Sequence, residues 1–226
     1  VVGAPLQSNG ATGEGNAFIY YGSASGLQSS PSQVLDNPAN QAVAQFGWAV
    51  ASAGDLNGDG YADLVTGAPG QSGDAAAEGG AFLYYGSASG LPGNPSLRME
   101  SPTNQERAQF GGSVTSAGDV NGDGYADLLI GADRHSNGAP GEGAAFVYYG
   151  ASSGLSAGPP VFLDNPTNQA AANFGWSVAS AGDLNGDGYV DVVVGAPRQD
   201  SGAMNGGSAF VYYGSPSGIP SSLAVV

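Results

Sequence analysis

The sequence predicts an all-β fold, a β-propeller of four-stranded blades, on three observations. A 64-residue unit recurs along the 226-residue chain. Its apolar runs are short and alternate with period two, the pattern of strands, and nothing of useful length has a helical period. Glycine and proline, 40 and 14 residues, punctuate the runs as turns. Four strands per repeat is the blade pattern of a propeller. A β-solenoid is the structural alternative, but its rungs are normally far shorter than 64 residues.

The repeats fix the organisation. FGWAVASAGDLNGDGYADLVTGAP begins at Phe46, FGGSVTSAGDVNGDGYADLLIGAD at Phe110 and FGWSVASAGDLNGDGYVDVVVGAP at Phe174. The opening VVGAP matches residues 193–197. A tyrosine-bearing segment starts at Asn16, Gly80, Ala144 and Ser208, and an (L/M)-(D/E)-(N/S)-P-x-N-Q segment at Leu35, Met99 and Leu163. About 3.5 copies are present, so residues 1–226 read as one propeller region. Its parts are a partial blade over 1–45, blades over 46–109 and 110–173, and a blade over 174–226 with a curtailed last strand at 223–226.

Within a unit, residues 46–53 alternate large Phe46, Trp48 and Val50 with small Gly47, Ala49 and Ala51, giving strand one. Residues 63–69 form strand two, β-branched in the third copy at Val192, Val193 and Val194. Residues 81–85, rich in aromatics and closed by Gly86, form strand three. Residues 97–99 form a weaker fourth, ended by the proline of the next turn.

Composition excludes several functions. Hydrophobic content of 41 % argues against disorder. A net charge of −15, with no lysine and four arginines, excludes charge-driven binding to nucleic acid or an anionic membrane. No apolar run approaches the roughly 20 residues of a membrane span, so no membrane insertion is expected. The absence of cysteine excludes disulfides and thiolate metal sites, and a single histidine, His135, excludes a histidine cluster. No Asn-x-Ser/Thr acceptor without proline at x occurs. A start at Val1 without a signal segment suggests a processed, trimmed or incomplete product.

The turn between strands one and two reads D-x-N-G-D-G-Y-x-D three times: Asp55, Asn57, Asp59, Tyr61 and Asp63; Asp119, Asn121, Asp123, Tyr125 and Asp127; Asp183, Asn185, Asp187, Tyr189 and Asp191. Oxygen ligands at alternate positions of a tight loop are what a hard cation needs, with side-chain oxygens from Asp and Asn and the backbone carbonyl from position seven. Gly60, Gly124 and Gly188 permit the sharp turn. Position twelve, where an EF-hand places its bidentate Glu, is Thr66, Ile130 or Val194, so the position-nine Asp is the closing carboxylate. The alternative, a string of Asx turns, leaves nine of the chain's nineteen acids repelling one another within three loops. Calcium suits the site better than magnesium, which demands stricter octahedra. Three Ca²⁺ ions would bring the charge from −15 to about −9. They are expected as structural pins of the turn and not as catalytic centres.

Phe46-Gly47, the loop 55–63 and Gly67-Ala68-Pro69 together resemble the FG-GAP repeat of integrin α subunits and of many bacterial surface or secreted proteins. The second and third copies repeat the motif, except that Asp133 replaces its proline, which should alter loop shape more than metal binding. The resemblance implies a seven-bladed, calcium-binding propeller serving extracellular recognition or adhesion. Some fungal lectins are similar, with sugar sites between blades. Near-identical repeats and the SASGL turns make the chain resemble microbial members.

Two groups of residues, the repeated glutamates and the tryptophans, are candidates for a ligand site, while His135 and the tyrosine pairs have plainer readings. Glu14, Glu78 and Glu142 share one repeat position in glycine-rich loops, as sugar-binding acceptors or, more simply, as solvated loop residues. Trp48 and Trp176 are equivalent, with Gly112 between them in the series; packing between blades is the plainer role, a sugar-stacking platform the sharper one. His135, between Arg134 and Ser136, is expected to be exposed. The tyrosine pairs (Tyr20-Tyr21, Tyr84-Tyr85, Tyr148-Tyr149, Tyr212-Tyr213) should alternate faces of strand three, one packing between blades.

The function expected is a calcium-stabilised extracellular module that recognises a carbohydrate or protein. A structural or assembly segment of a larger surface protein is the competing reading. No enzyme is expected, because no nucleophile–base pair or open metal site can be composed from these residues. One chain amounts to about half a ring, by length or by strand count, so closure calls for a second copy or the rest of a longer propeller.

Overall fold

The computed structural model describes residues 1–221, and among them the regular structure is all strand, with no helix. Sheet one orders β1 (Val2–Ala4), β2 (Asn16–Ile19) and β5 (Gln33–Asp36), with a small ladder of β3 (Gly22–Ser23) and β4 (Gly26–Leu27) beside it. Sheet two runs β6 (Ala49–Gly54), β7 (Asp63–Ala68), β8 (Gly80–Tyr84) and β9 (Leu97–Glu100). Sheet three repeats this as β10 (Ser113–Gly118), β11 (Asp127–Ala132), β12 (Ala144–Tyr148) and β15 (Val161–Asp164), with the ladder of β13 (Gly150–Ala151) and β14 (Gly154–Leu155) alongside. Sheet four holds β16 (Ser177–Gly182), β17 (Asp191–Ala196) and β18 (Ser208–Tyr212). All pairings within the sheets are antiparallel, in chain order. The curtailed strand expected at 223–226 lies outside the described residues.

These are propeller blades. β10 lies against both β6 and β16, so the first strands of successive sheets neighbour one another, as they do around the axis of a propeller. Strand one is shorter at its start than the alternation suggests. Phe46 and Gly47 form a turn, with Gln45 at φ 60° and Gly47 at φ 82°, and Trp48 N–H donates to Gln45 C=O at 3.0 Å. The strand begins only at Ala49, and a bulge between Ser52 and Gly54 ends its regular register.

Apolar burial joins each blade to the next. Val65 and Leu83 pack with Leu128, Ile130 and Phe146 of the following sheet, and Leu56 from the intervening turn lies in the same cluster. Phe46 meets Phe82 edge-on at 5.2 Å, Phe110 meets Phe146 at 5.5 Å and Phe174 meets Phe210 at 5.3 Å, a geometry worth about 0.5–1.5 kcal/mol per pair beyond the area buried. The repeat motif has a steric reason. A Cβ on Gly67 would fall on the carbonyl oxygen of Gly111 in the next blade, so these two glycines let the backbones of adjacent blades touch. Nearby, Phe110 N–H donates to Glu78 C=O at 2.8 Å across the same boundary.

Candidate functional site

Each aspartate-rich loop folds around its own side chains. Asp119 accepts the backbone N–H groups of Gly122 at 2.7 Å, Asp123 at 3.0 Å and Gly124 at 2.9 Å. Asn121 Oδ1 accepts Asp123 N–H at 3.0 Å, and Asp123 Oδ1 accepts Tyr125 N–H at 3.0 Å. Loop 183–191 repeats these bonds, as does loop 55–63 apart from the bond to its position-four glycine. Gly124 at φ 91° turns the chain where a side chain would be strained. The position-nine aspartates Asp63, Asp127 and Asp191 are buried. Asp127 accepts Val120 N–H with one oxygen at 2.8 Å and Gly150 N–H with the other at 2.9 Å, tying the loop to the end of strand three. Asp63 and Asp191 do the same in their blades.

The electrostatics of these loops are unbalanced. The ion pairs among the described residues are Arg98–Glu100 and Arg107–Glu106, neither of them at a loop. Burial pushes the Asp127 carboxyl up to about 7, and the charges of Asp123 and Asp119 add to this against the two backbone N–H groups. Burial raises Asp63 in the same way. Among the described residues no three His, Cys, Asp or Glu side chains already converge as a metal cage. The donor set nevertheless fits a hard cation: three carboxylates, an amide oxygen and a carbonyl in each loop, no opposing cation, and a second lone pair on each bonded carboxylate oxygen. Asp119, Asn121, Asp123, Asp127 and the Tyr125 carbonyl are the atoms that would hold it in the middle loop.

The three glutamates are not solvated loop residues. Glu14, Glu78 and Glu142 are all fully buried. Glu14 accepts the N–H groups of Asn9 at 2.7 Å, Ala11 at 2.9 Å and Gly10, which hold its carboxyl below the usual range, Gly10 most. Glu142 clamps Asn137 and Gly138 likewise. Burial raises Glu78, with Glu100 beside it. A carboxylate enclosed by its own loop is not free to meet a sugar.

His135 is also inside, 3 % exposed. Its ring stands edge-on to Phe162 at 5.4 Å and Phe146 at 6.2 Å, and Nε2 lies 3.1 Å from Thr103 Oγ1. Sequence neighbours suggested exposure, but the aligned positions Gln71 and Gln199 are buried too. That register was the signal.

The tryptophans reverse the other way. Trp48 is 51 % and Trp176 55 % exposed, so neither packs between blades. Both line one cleft of about 280 Å³, with Gly112 between them in the repeat series and Asp133, Arg134 and Gln109 around it. Asp133 is buried and accepts Asn173 Nδ2 of the next blade at 3.0 Å, an inter-blade bond in place of the motif's proline. Burial raises its carboxyl, opposed by Asn173 and then by Arg134. The sequence reading passed over Arg134 and Arg198, although they stand one repeat apart.

Known proteins share this pattern. The FG-GAP repeat is matched at residues 46–84, 110–148 and 174–212. The chain is similar to phosphatidylinositol-glycan-specific phospholipase D of Homo sapiens, 37 % identical over 183 residues, which is 77 % of this chain and 21 % of the relative. It is also similar to the Bos taurus protein of that name, 36 % identical over 178 residues, 75 % of the chain and 20 % of the relative. Integrin alpha-4 of Xenopus laevis is 35 % identical over 164 residues, 70 % of the chain and 15 % of the relative. The chain thus spans about a fifth or less of the length of these relatives.

Proposed function

The chain belongs to the FG-GAP repeat family, and on that premise we propose that this propeller module recognises a carbohydrate or protein ligand outside the cell, with calcium bracing its loops. The observation that carries recognition is the exposed pair Trp48 and Trp176 on one cleft. Two large indoles left in water at the same repeat position, in a chain that buries the repeated phenylalanines Phe46, Phe110 and Phe174, are a contact surface.

Calcium would act as a brace. Its charge would offset the carboxylates of loops 55–63, 119–127 and 183–191, and the loops would then hold strands one and two in register. Extracellular placement accords with this, because open oxygen-ligand loops without a closing bidentate glutamate suit millimolar calcium. Among the described residues no helix is long and apolar enough to cross a membrane. The reading is non-catalytic. The histidine is enclosed by Phe146 and Phe162, where it could not exchange a proton with a bound substrate. Some relatives carry the name of a phospholipase, but what they share with this chain is about a fifth of their length.

Binding to a broad glycan and matrix-protein array, with calcium and with EDTA, tests the proposal. Calcium-dependent binding supports it; no binding in either condition overturns it. A structural or assembly role has its own support. Leu56 and Val120 are fully buried under the next blade, whereas the equivalent Leu184 is 57 % exposed. A further blade, from a second copy or from additional repeats of a longer chain, would cover it. Light scattering in calcium reads this: a particle near 44 kDa, twice the 22.1 kDa of one chain, supports pairing, and a compact monomer excludes it.

A further inference from the structure

Three of the chain's four arginines share one face with both tryptophans. Arg134 lines the cleft between Trp48 and Trp176. An adjoining groove of about 410 Å³ is lined by Arg107, Arg134, Trp176 and Arg198. Arg134 and Trp176 belong to both, so the two are continuous. Arg107 lies 3.6 Å from its own neighbour Glu106, while Arg134 and Arg198 have no carboxylate within ion-pair distance among the described residues. Glu106 lines the same groove and the buried Asp133 the cleft, so three arginines face two carboxylates, a net cationic patch on a chain whose net charge is −15.

We propose that this face binds a linear acidic saccharide built from carboxylated hexose units. The inference rests on the recognition function argued above and names its ligand class. The indole faces offer broad apolar planes for the C–H face of a pyranose ring, and the indole N–H remains free for a hydroxyl. Arginine's planar fork matches a carboxylate with two parallel hydrogen bonds. Spacing favours a polymer. Arg134 and Arg198 occupy the same position in successive repeats, and Trp48 and Trp176 the same position two repeats apart with Gly112 between them, so the charges sit on adjacent blades and the stacking planes flank the blade between. A ligand with one carboxylate per sugar presents a matching series. Gly112 in place of a third indole leaves the cleft open between the two that flank it. Trp48 is exposed although the following blade is in place beside it, so its exposure is a property of the face itself. The acidic remainder of the surface repels polyanions in general, which confines such a ligand to this groove.

The probe is tetragalacturonate, short enough to avoid calcium gels, titrated by tryptophan fluorescence in calcium buffer. The expected result is saturable binding, weakened at least tenfold by Arg134→Gln, by Trp176→Ala, and by methyl-esterifying the sugar carboxylates. All three sites of change are exposed on the protein or lie on the ligand, and equal melting temperatures show that the variants fold. Binding unchanged in both variants, or equal for the ester, overturns the proposal while leaving recognition intact at another surface. Tighter binding of an acidic aspartate peptide than of the sugar overturns it in favour of a protein partner. Failure of the array described above to find any ligand overturns both.

Discussion

The Tyr85 hydroxyl accepts a hydrogen bond from the backbone N–H of Leu155 at 3.1 Å, 70 residues along the chain and one blade away. The same bond joins Tyr21 to Leu91 at 2.8 Å and Tyr149 to Ile219 at 3.0 Å. The second tyrosine of the first three pairs therefore reaches into the turn after strand three of the next blade. Tyr84 and Tyr212, each the first of its pair, are buried in apolar clusters. Burial raises the Tyr85 hydroxyl, so it remains protonated across the ordinary pH range.

Tyr85→Phe keeps the ring and removes the acceptor, leaving the Leu155 N–H without it. The loss expected is about 1–2 kcal/mol, a net hydrogen bond plus part of the desolvation of an orphaned donor. Urea unfolding in calcium measures it. A change below about 0.3 kcal/mol would show that water replaces the hydroxyl at no cost.

Gly67 and Gly195 hold the same repeat position with different neighbours. A Cβ on Gly67 would strike backbone, the Gly111 carbonyl, which cannot rotate away. On Gly195 the first atom met is the Ser177 hydroxyl oxygen, the end of a small rotatable side chain. Gly67→Ala should destabilise by about 2–3 kcal/mol or prevent folding, as overpacking of a tight contact does. Gly195→Ala should cost less than about 1 kcal/mol. Equal melting temperatures for the two variants would refute the steric account of the motif.

The repeat made the blades legible. Exact recurrence of Phe46, Phe110 and Phe174 carried the strand order, and period-two alternation carried the strands. The first strand was placed three residues early because alternation cannot see that Gln45 and Gly47 have positive φ. The aspartate loops were legible by composition, but the buried double hydrogen bond of Asp127 was not, because its partner Gly150 lies 23 residues away. Burial of single side chains was the weakest reading. Glutamate and histidine read as loop residues by type, yet Glu14 closes its own loop from within and His135 fills a position that glutamine fills in other blades. Tryptophan by type belongs inside, yet Trp48 faces water.

His135 gives the chain an acid-sensitive point. Burial lowers its imidazole below the ordinary value of 6.5, with Asp164 and Glu142 pulling the other way. The unfolded chain thus binds the proton more readily than the folded one. Stability is complete above about pH 6.5 and falls below it, by at most about 1.4 kcal/mol per pH unit. The raised carboxyl of Asp133 has the opposite sign, so the comparison must be between parent and variant. On going from pH 7 to pH 5 the parent should therefore lose more stability than His135→Gln, which carries the residue found at the aligned positions 71 and 199. Parallel profiles for the two proteins would show that the imidazole does not titrate differently on folding.

Calcium should bind the three loops in two affinity classes. Metal that binds only the folded state stabilises by RT ln(1 + [L]/Kd), about 2.7 kcal/mol per site at a hundred times Kd. Removal with EDTA should therefore lower the melting temperature strongly. The first two loops are braced by the next blade: Ala126 N–H donates to Asp55 C=O at 3.0 Å, Ala151 N–H to Leu56 C=O at 3.0 Å, and Ser215 N–H to Val120 C=O at 3.1 Å. The third has no such donor among the described residues, and Leu184 beside it is exposed. A loop that must be ordered on binding gives up affinity in proportion, so loop 183–191 should fill last. Titration calorimetry should show two tighter sites and one weaker. Asp59→Asn, which keeps an acceptor for the Tyr61 N–H and removes a charge, should abolish or weaken one of the tighter pair and spare the other two. An EDTA-insensitive melt would sink the calcium proposal. Three equal sites would leave it standing and sink the claim that neighbouring blades prepare the loops.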